Sequence, residues 1–215
     1  HFFGIRNILA LRGDPPTGML DWQPRMGSHF YAYQLVEQIR ALNSGKYMER
    51  RGFKTEVREN TNFCIGVACY PDHADKSERV EFFKRKVDAG AEFAISQMLF
   101  DADSYGRFLD ATAKFTIPTL PGTRLLKSKD QARRMAARFQ VPVGESYLRL
   151  LPEDDSQATP ETTLNAFYRL TEELKAKGAP GIHLFVLSDT DLAVQGLKTL
   201  ANQFRAQDAT QLKMR

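Results

Sequence analysis

Two spacings of apolar residues alternate along this chain. Short, nearly continuous apolar runs occupy Asn7–Arg12, Phe63–Tyr70, Phe93–Phe100, Thr116–Pro121 and Gly181–Leu187. Runs of this length, rich in Ile, Val, Leu, Phe and Ala and lacking a polar face, are expected of strands covered on both sides, hence of a parallel sheet. Between them apolar residues recur every three or four positions, as in His29–Leu42, where Tyr31, Leu35, Val36, Ile39 and Leu42 share a face. The same spacing predicts helices over Ser77–Ala89, Asp103–Phe115, Ser128–Phe139, Thr159–Lys177 and Ser188–Phe204, with a short extra one over Gly144–Leu151. Ser77 reads as an N-cap, Asp88-Ala89-Gly90 as a helix stop, and Ser188 or Asp189 as the cap of the last helix. Ala206–Arg215 reads as a frayed tail.

Strand and helix repeated five times predict an α/β fold with right-handed crossovers. A doubly wound sheet and a TIM barrel both satisfy that order. Each predicted strand ends in polar or turn-forming residues: Arg12-Gly13-Asp14, Tyr70-Pro71-Asp72-His73, Gln97 to Asp101, Pro121-Gly122-Thr123 and Ser188-Asp189. Chemistry at the carboxyl end of every strand favours the barrel, whose site draws on many strands. No Gly-x-Gly-x-x-Gly follows a strand, which argues against a dinucleotide-binding Rossmann fold. The expected architecture is therefore a TIM-type (β/α)8 barrel of which five βα units are present, in one domain over residues 1–205 with a tail over 206–215.

Charge changes this picture little. Thirty basic and 26 acidic residues give a net +4 without a basic block, which argues against nucleic acid as a partner. A mild positive bias suits an anionic cofactor or a polycarboxylate substrate. The two cysteines, Cys64 and Cys69, fall in one predicted strand on opposite faces, too far apart to bridge; thiols of this kind suit a reducing cytoplasm. No run of spanning length argues for a membrane segment.

Several residues carry candidate chemistry. In Arg12-Gly13-Asp14 the glycine lets backbone approach a ligand and the arginine can pair with phosphate, although the tripeptide alone also fits a surface turn. Tyr70 can cover a planar ring and His73 can bond a phosphate or ribose; an ordinary Pro-containing turn is the structural alternative. The histidines, at positions 1, 29, 73 and 183, show no metal-ligand spacing, so no metal is expected. Lys84 and Arg85 fit a basic helix end facing the dipole, whereas Lys86 lies beside core-like Val87. Gln97 interrupts an apolar strand, where an unpaired amide costs roughly 1–3 kcal/mol, so it either has core partners or faces a pocket. Ser188-Asp189 fits either a helix N-cap or a strand-end functional pair, and capping is the preferred reading.

Taken in order, these strings resemble the methylenetetrahydrofolate reductases, barrel flavoenzymes of one-carbon metabolism. The resemblance is carried by Gly4 to Pro16, Tyr31-Ala32 with Leu35-Val36, Ile65 to Pro71 with His73, Lys84 to Ala91, Phe93 to Asp101, and Pro121-Gly122. It implies a barrel holding FAD at the carboxyl ends of its strands. By the same resemblance Arg12, Gly13 and Asp14 contact the flavin, with Asp14 also near the folate and catalytic. Tyr31 and Ala32 line the FAD, Tyr70 and His73 are further flavin partners, Lys86 lies near its phosphates, and Gln97 and Gln131 contact folate. The implied reaction passes hydride from NAD(P)H through FAD to 5,10-methylenetetrahydrofolate, giving 5-methyltetrahydrofolate. The implied protein is a cytoplasmic homo-oligomer with a small-molecule partner, neither nucleic acid nor membrane.

Departures from the family pattern leave two rivals: a folate reductase that works without flavin, and a non-catalytic folate- or flavin-binding homologue. Pro71-Asp72-His73 is one residue shorter than the family's Pro-Glu-x-His. Arg79 and Phe82 replace an acid and an amide, Met135 replaces an aromatic, and Asp189 stands where an arginine holds the folate's glutamate. Arg124, in an otherwise apolar position, is a candidate for the missing cation. The family's first three βα units, one carrying the glutamate general acid, are expected ahead of Gly4.

Overall fold

The structure, a computed structural model, describes residues 3–13, 18–19, 22–25, 27–48, 59–187 and 189–212, the last eleven by backbone alone. Among these are five strands: β1 (Asn7–Ala10), β2 (Cys64–Cys69), β3 (Phe93–Met98), β4 (Thr119–Thr123) and β5 (His183–Leu184). Seven α-helices accompany them: α1 (Ala32–Asn43), α2 (Lys76–Ala89), α3 (Ala102–Ala111), α4 (Lys129–Phe139), α5 (Glu145–Leu148), α6 (Pro160–Ala176) and α7 (Thr190–Leu212). The sheet order is β1-β2-β3-β4-β5, each strand beside its neighbour in sequence. A doubly wound sheet reverses its order at a switch point; an unbroken sequential order is that of consecutive barrel units. The fold is thus a partial TIM-type barrel of five βα units.

The chain divides into two compact units. Unit 1 comprises His1–Cys69, Asp75–Ile95 and Ala113–Pro118; unit 2 comprises Tyr70–Ala74, Ser96–Thr112 and Thr119–Arg215. In unit 1, β1 and β2 pair in parallel, from Asn7 opposite Cys64 to Ala10 opposite Val67. Gln34 Oε1 starts α1 by accepting from the N–H groups of Phe30 and Tyr31 (2.9 and 3.0 Å). Asn43 ends it and ties it to β2, exchanging two hydrogen bonds with the Phe63 backbone (2.8 and 2.9 Å). Helix α2 is capped by Asp75, which accepts from Ser77 and Glu78 N–H, and not by Ser77, which already lies inside the helix. Its stop is the expected one: Gly90 takes φ +115° beneath the Arg40 side chain of α1, where a Cβ would lie 2.8 Å from Cδ.

Unit 2 holds a continuous core. Leu99, Phe100, Tyr105, Leu126, Met135, Leu170 and Leu174 pack together, with Phe167 and Phe108 also fully buried. Tyr105 completes its polar valence by donating to Thr119 O (2.7 Å). Strand β4 begins three residues later than the composition suggested and includes Pro121-Gly122-Thr123. Proline is tolerated because Gly122 and Thr123 pair with β5 at His183 and Leu184, so Pro121 falls just before that ladder begins. Helix α7 continues past Phe204 to Leu212.

Both units place an aromatic ring over a glycine in a neighbouring strand. A Cβ on Gly66 would lie 2.2 Å from the Phe93 ring in unit 1, and one on Gly122 would lie 2.6 Å from Phe185 in unit 2. Aromatic side chains placed this way cover backbone that glycine leaves bare.

Candidate active site

In unit 1, β1 runs into Leu11-Arg12-Gly13. Arg12 is exposed, with Nε donating to Gly13 O (3.3 Å). Gly13 sits at φ +82°, in the left-handed region, with no atom within 4 Å of a would-be Cβ. Open space beside strained-for-others backbone permits the close approach expected of Gly13. Asp14 lies outside the described residues. Tyr31, at the entrance to α1, is 40% exposed; it stacks on Tyr33 (centroids 5.5 Å, 12° between planes) and meets Phe82 of α2 at 5.8 Å. Ala32 opens the helix behind it. Phe82, a departure noted in the sequence, therefore joins an aromatic cluster, with the Arg85 guanidinium 5.6 Å above its ring.

Lys86 is mostly buried and donates from Nζ to the carbonyl of Ala68, at the carboxyl end of β2 (2.8 Å). Burial lowers its pKa, an effect opposed by Cys69. Burial likewise pushes the Cys69 thiol up to about 12. Lysine is enclosed here because a carbonyl receives its charge, and its cationic field stays at the strand end. Both cysteines are free thiols.

In unit 2, Tyr70 to His73 form a turn closed by His73 N–H to Tyr70 O (3.1 Å), with Tyr70 45% exposed. Gln97, in β3, is half-buried, and its Oε1 accepts the N–H of Met98 (2.9 Å). Gln131 has a similar arrangement: Oε1 accepts Lys127 N–H (2.7 Å), and its own N–H donates to Ser128 Oγ (3.0 Å). Each candidate folate amide thus has its oxygen committed to backbone and retains its NH2 as a donor. For Gln131 the Ser-x-x-Gln spacing is that of a capping box, but its oxygen takes the N–H of Lys127, one residue before the Ser128 cap.

Unit 2 also gathers charge at the ends of β4 and β5. Lys127 Nζ pairs with Asp189 Oδ1 at 2.9 Å, and both line a cleft with Arg124, Leu184, Val186 and Leu192. Asp189 takes φ +57°, a left-handed conformation unlike an N-cap. Arg124 makes no hydrogen bond or ion pair among the described residues, and burial lowers its pKa while Asp189 opposes that shift. Met135 is not at a surface; it is a core residue of α4, 3% exposed. Among the described residues no group of three or more His, Cys, Asp or Glu is placed to hold a metal ion, and no helix is long and apolar enough to cross a membrane.

Sequential βα units with polar residues following their strands define an α/β barrel protein. The profile of the methylenetetrahydrofolate reductase family matches residues 1–201, and the chain belongs to that family. Methylenetetrahydrofolate reductase 1 of Schizosaccharomyces pombe is 31% identical over 196 residues, 87% of this chain and 30% of the relative. The 5,10-methylenetetrahydrofolate reductase of Escherichia coli is 30% identical over 205 residues, 92% of this chain and 61% of the relative. Methylenetetrahydrofolate reductase (NADH) 1 of Zea mays is 28% identical over 214 residues, 92% of this chain and 33% of the relative. The chain therefore spans from about a third to about three fifths of the length of these relatives.

Proposed function

We propose that this chain supplies the cofactor- and folate-binding strands of a reductase that converts 5,10-methylenetetrahydrofolate to 5-methyltetrahydrofolate at the expense of NAD(P)H. The observation that carries this reading is the family match across residues 1–201. The names of the relatives agree with it, and the maize name gives NADH as the donor for that protein. The residues of unit 1 fit a flavin in kind: an exposed tyrosine ring, a glycine with open space beside it, an exposed guanidinium and a lysine at a strand end. When bound, FAD would accept hydride from the nicotinamide and deliver it to the folate.

The chain's own residues have simpler roles. Arg12, Gly13, Tyr31, Ala32, Tyr70, His73 and Lys86 would bind and orient the cofactor, with Lys86 contributing positive potential toward its phosphates. Gln97 and Gln131 would donate from their NH2 groups to acceptors on the folate. Asp14, by the family resemblance, would tune charge during transfer to the folate. Arg124 would receive the folate's carboxylate in place of the arginine that Asp189 supplants. The protein would act in the cytoplasm as a homo-oligomer.

Asp14→Asn in the complete protein tests the assignment. The expected result is a slower folate half-reaction with flavin reduction by NAD(P)H nearly unchanged; equal losses in both half-reactions contradict the role given to Asp14.

One observation favours a second reading. Phe82, which replaces an amide of the family's flavin side, packs against Tyr31 instead, and this departure favours transfer directly from nicotinamide to folate without flavin. Turnover that survives complete flavin removal would select it.

A further inference from the structure

Strand β3 carries one residue too many. Ala94 N–H reaches Pro118 O and Leu99 N–H reaches Gly122 O, both at 2.9 Å, so five steps on β3 (94 to 99) match four on β4 (118 to 122). A regular parallel ladder would bring Met98, not Leu99, to Gly122. The surplus residue makes a bulge at Ser96-Gln97. Two backbone donors lose their regular acceptors there, and side chains replace them. Met98 N–H goes to Gln97 Oε1 at 2.9 Å, and Gly122 N–H goes to Ser96 Oγ at 2.8 Å. The Ser96 hydroxyl in turn donates to Gln97 O at 2.7 Å. Ser96 is 1% exposed. Its carbonyl has swung to 2.4 Å from where a Gly122 Cβ would stand, so the bulge also needs glycine at 122.

We propose that Ser96 is a positioning residue for the folate site. By holding the bulge it fixes the Gln97 amide with its oxygen turned inward, so that Gln97 presents only N–H donors to substrate. The site would then read a hydrogen-bond acceptor on the folate heterocycle and discriminate against a donor at the same place. Without the hydroxyl, Gly122 N–H and Gln97 O lose a buried partner, the strand regains freedom to slip by one residue, and Gln97 loses its fixed orientation. This inference rests on the folate reading above.

The test compares Ser96→Ala and Ser96→Thr in the complete protein, measuring folate affinity by direct titration with 5-methyltetrahydrofolate, KM for methylenetetrahydrofolate and for NAD(P)H, and the midpoint of thermal unfolding. Ser96→Ala should weaken folate binding about 10-fold, the loss of one oriented buried hydrogen bond, with KM for NAD(P)H unchanged. Ser96→Thr, which keeps the hydroxyl, should restore folate affinity even if its methyl group lowers the unfolding midpoint. A Ser96→Ala protein that unfolds earlier but binds folate as tightly as wild type overturns the inference, because Ser96 would then be structural only. Equal losses for folate and NAD(P)H overturn it too. A wild-type protein that binds no folate removes the functional reading and this inference together, a different result from either.

Discussion

The two compact units use one grammar, strand then helix, and use it differently. Unit 2 has the larger buried core: Phe100, Phe108, Phe167, Leu126, Leu170 and Leu174 are at most 1% exposed, although Tyr70, Leu150, Val186, Leu187, Val194 and Leu197 stay at least 40% exposed. Unit 1 has Ile65, Val67, Val36 and Phe83 inside but leaves Phe3, Ile5, Leu9, Leu11, Phe30 and Tyr31 at least 40% exposed. Unit 2 therefore has the larger apolar core, whereas the strands of unit 1 meet fewer large buried neighbours. The difference teaches that equal sequence periodicity does not mean equal stability, since periodicity reports which face turns inward, not how much is there to meet it.

Deep-core truncation should break that comparison most strongly. Phe167→Ala removes a fully buried ring from unit 2 and should cost about 3–5 kcal/mol in denaturant unfolding. Ile65→Ala in unit 1, equally buried, should cost about 2–5 kcal/mol, toward the low end because fewer large neighbours surround the cavity. A larger loss at Ile65 than at Phe167 would reverse the ranking of the units.

The two glycines beneath aromatic rings sharpen it at a smaller scale. Gly122→Ala drives a Cβ against the backbone carbonyl of Ser96 at 2.4 Å, and backbone cannot step aside without undoing the bulge. Gly66→Ala meets the Phe93 side chain first, itself half-exposed and able to rotate. The first should destabilise by about 1–3 kcal/mol and the second by clearly less; parity between them would mean that the bulge relaxes freely.

Acid should have the smallest effect. Burial of His183, whose ring lies edge-on to Phe185 at 4.6 Å, lowers its pKa below the usual 6.5. The unfolded chain then binds the proton more readily than the folded one. Stability is therefore full above about pH 6.5 and declines as pH falls through the folded pKa. His183→Gln should flatten that decline modestly in thermal unfolding between pH 7 and 5; an unchanged slope would assign it to other groups.

Much of this was legible in the sequence, and the failures have physical causes. Continuous apolar runs located all five strands, and Gly90 stopped α2 where a left-handed residue was needed. Asp75 was missed as a cap because Ser77, itself a residue that favours the cap position, stands nearer the apolar periodicity. Pro121 was read as ending β4; its tolerance depends on where β5 begins, which is a property of the partner strand. The candidate residues Arg12, Tyr31, Tyr70 and Gln97 were visible as polar or aromatic groups following or interrupting apolar runs. The β3 bulge was not, since register arises only when two strands pair, and neither Ser96 nor Gly122 carries a local mark of it. Nor does spacing reveal that Lys86 is enclosed against Ala68 O, because Lys86 and Ala68 come from different elements, α2 and β2.

The central claim is tested most directly by purifying the complete protein, recording its visible spectrum, and following NAD(P)H oxidation with and without 5,10-methylenetetrahydrofolate. The account predicts bound flavin that is bleached by NAD(P)H and recoloured by the folate, with 5-methyltetrahydrofolate formed one for one. A protein that neither binds flavin when FAD is added nor oxidises NAD(P)H in response to the folate would contradict it.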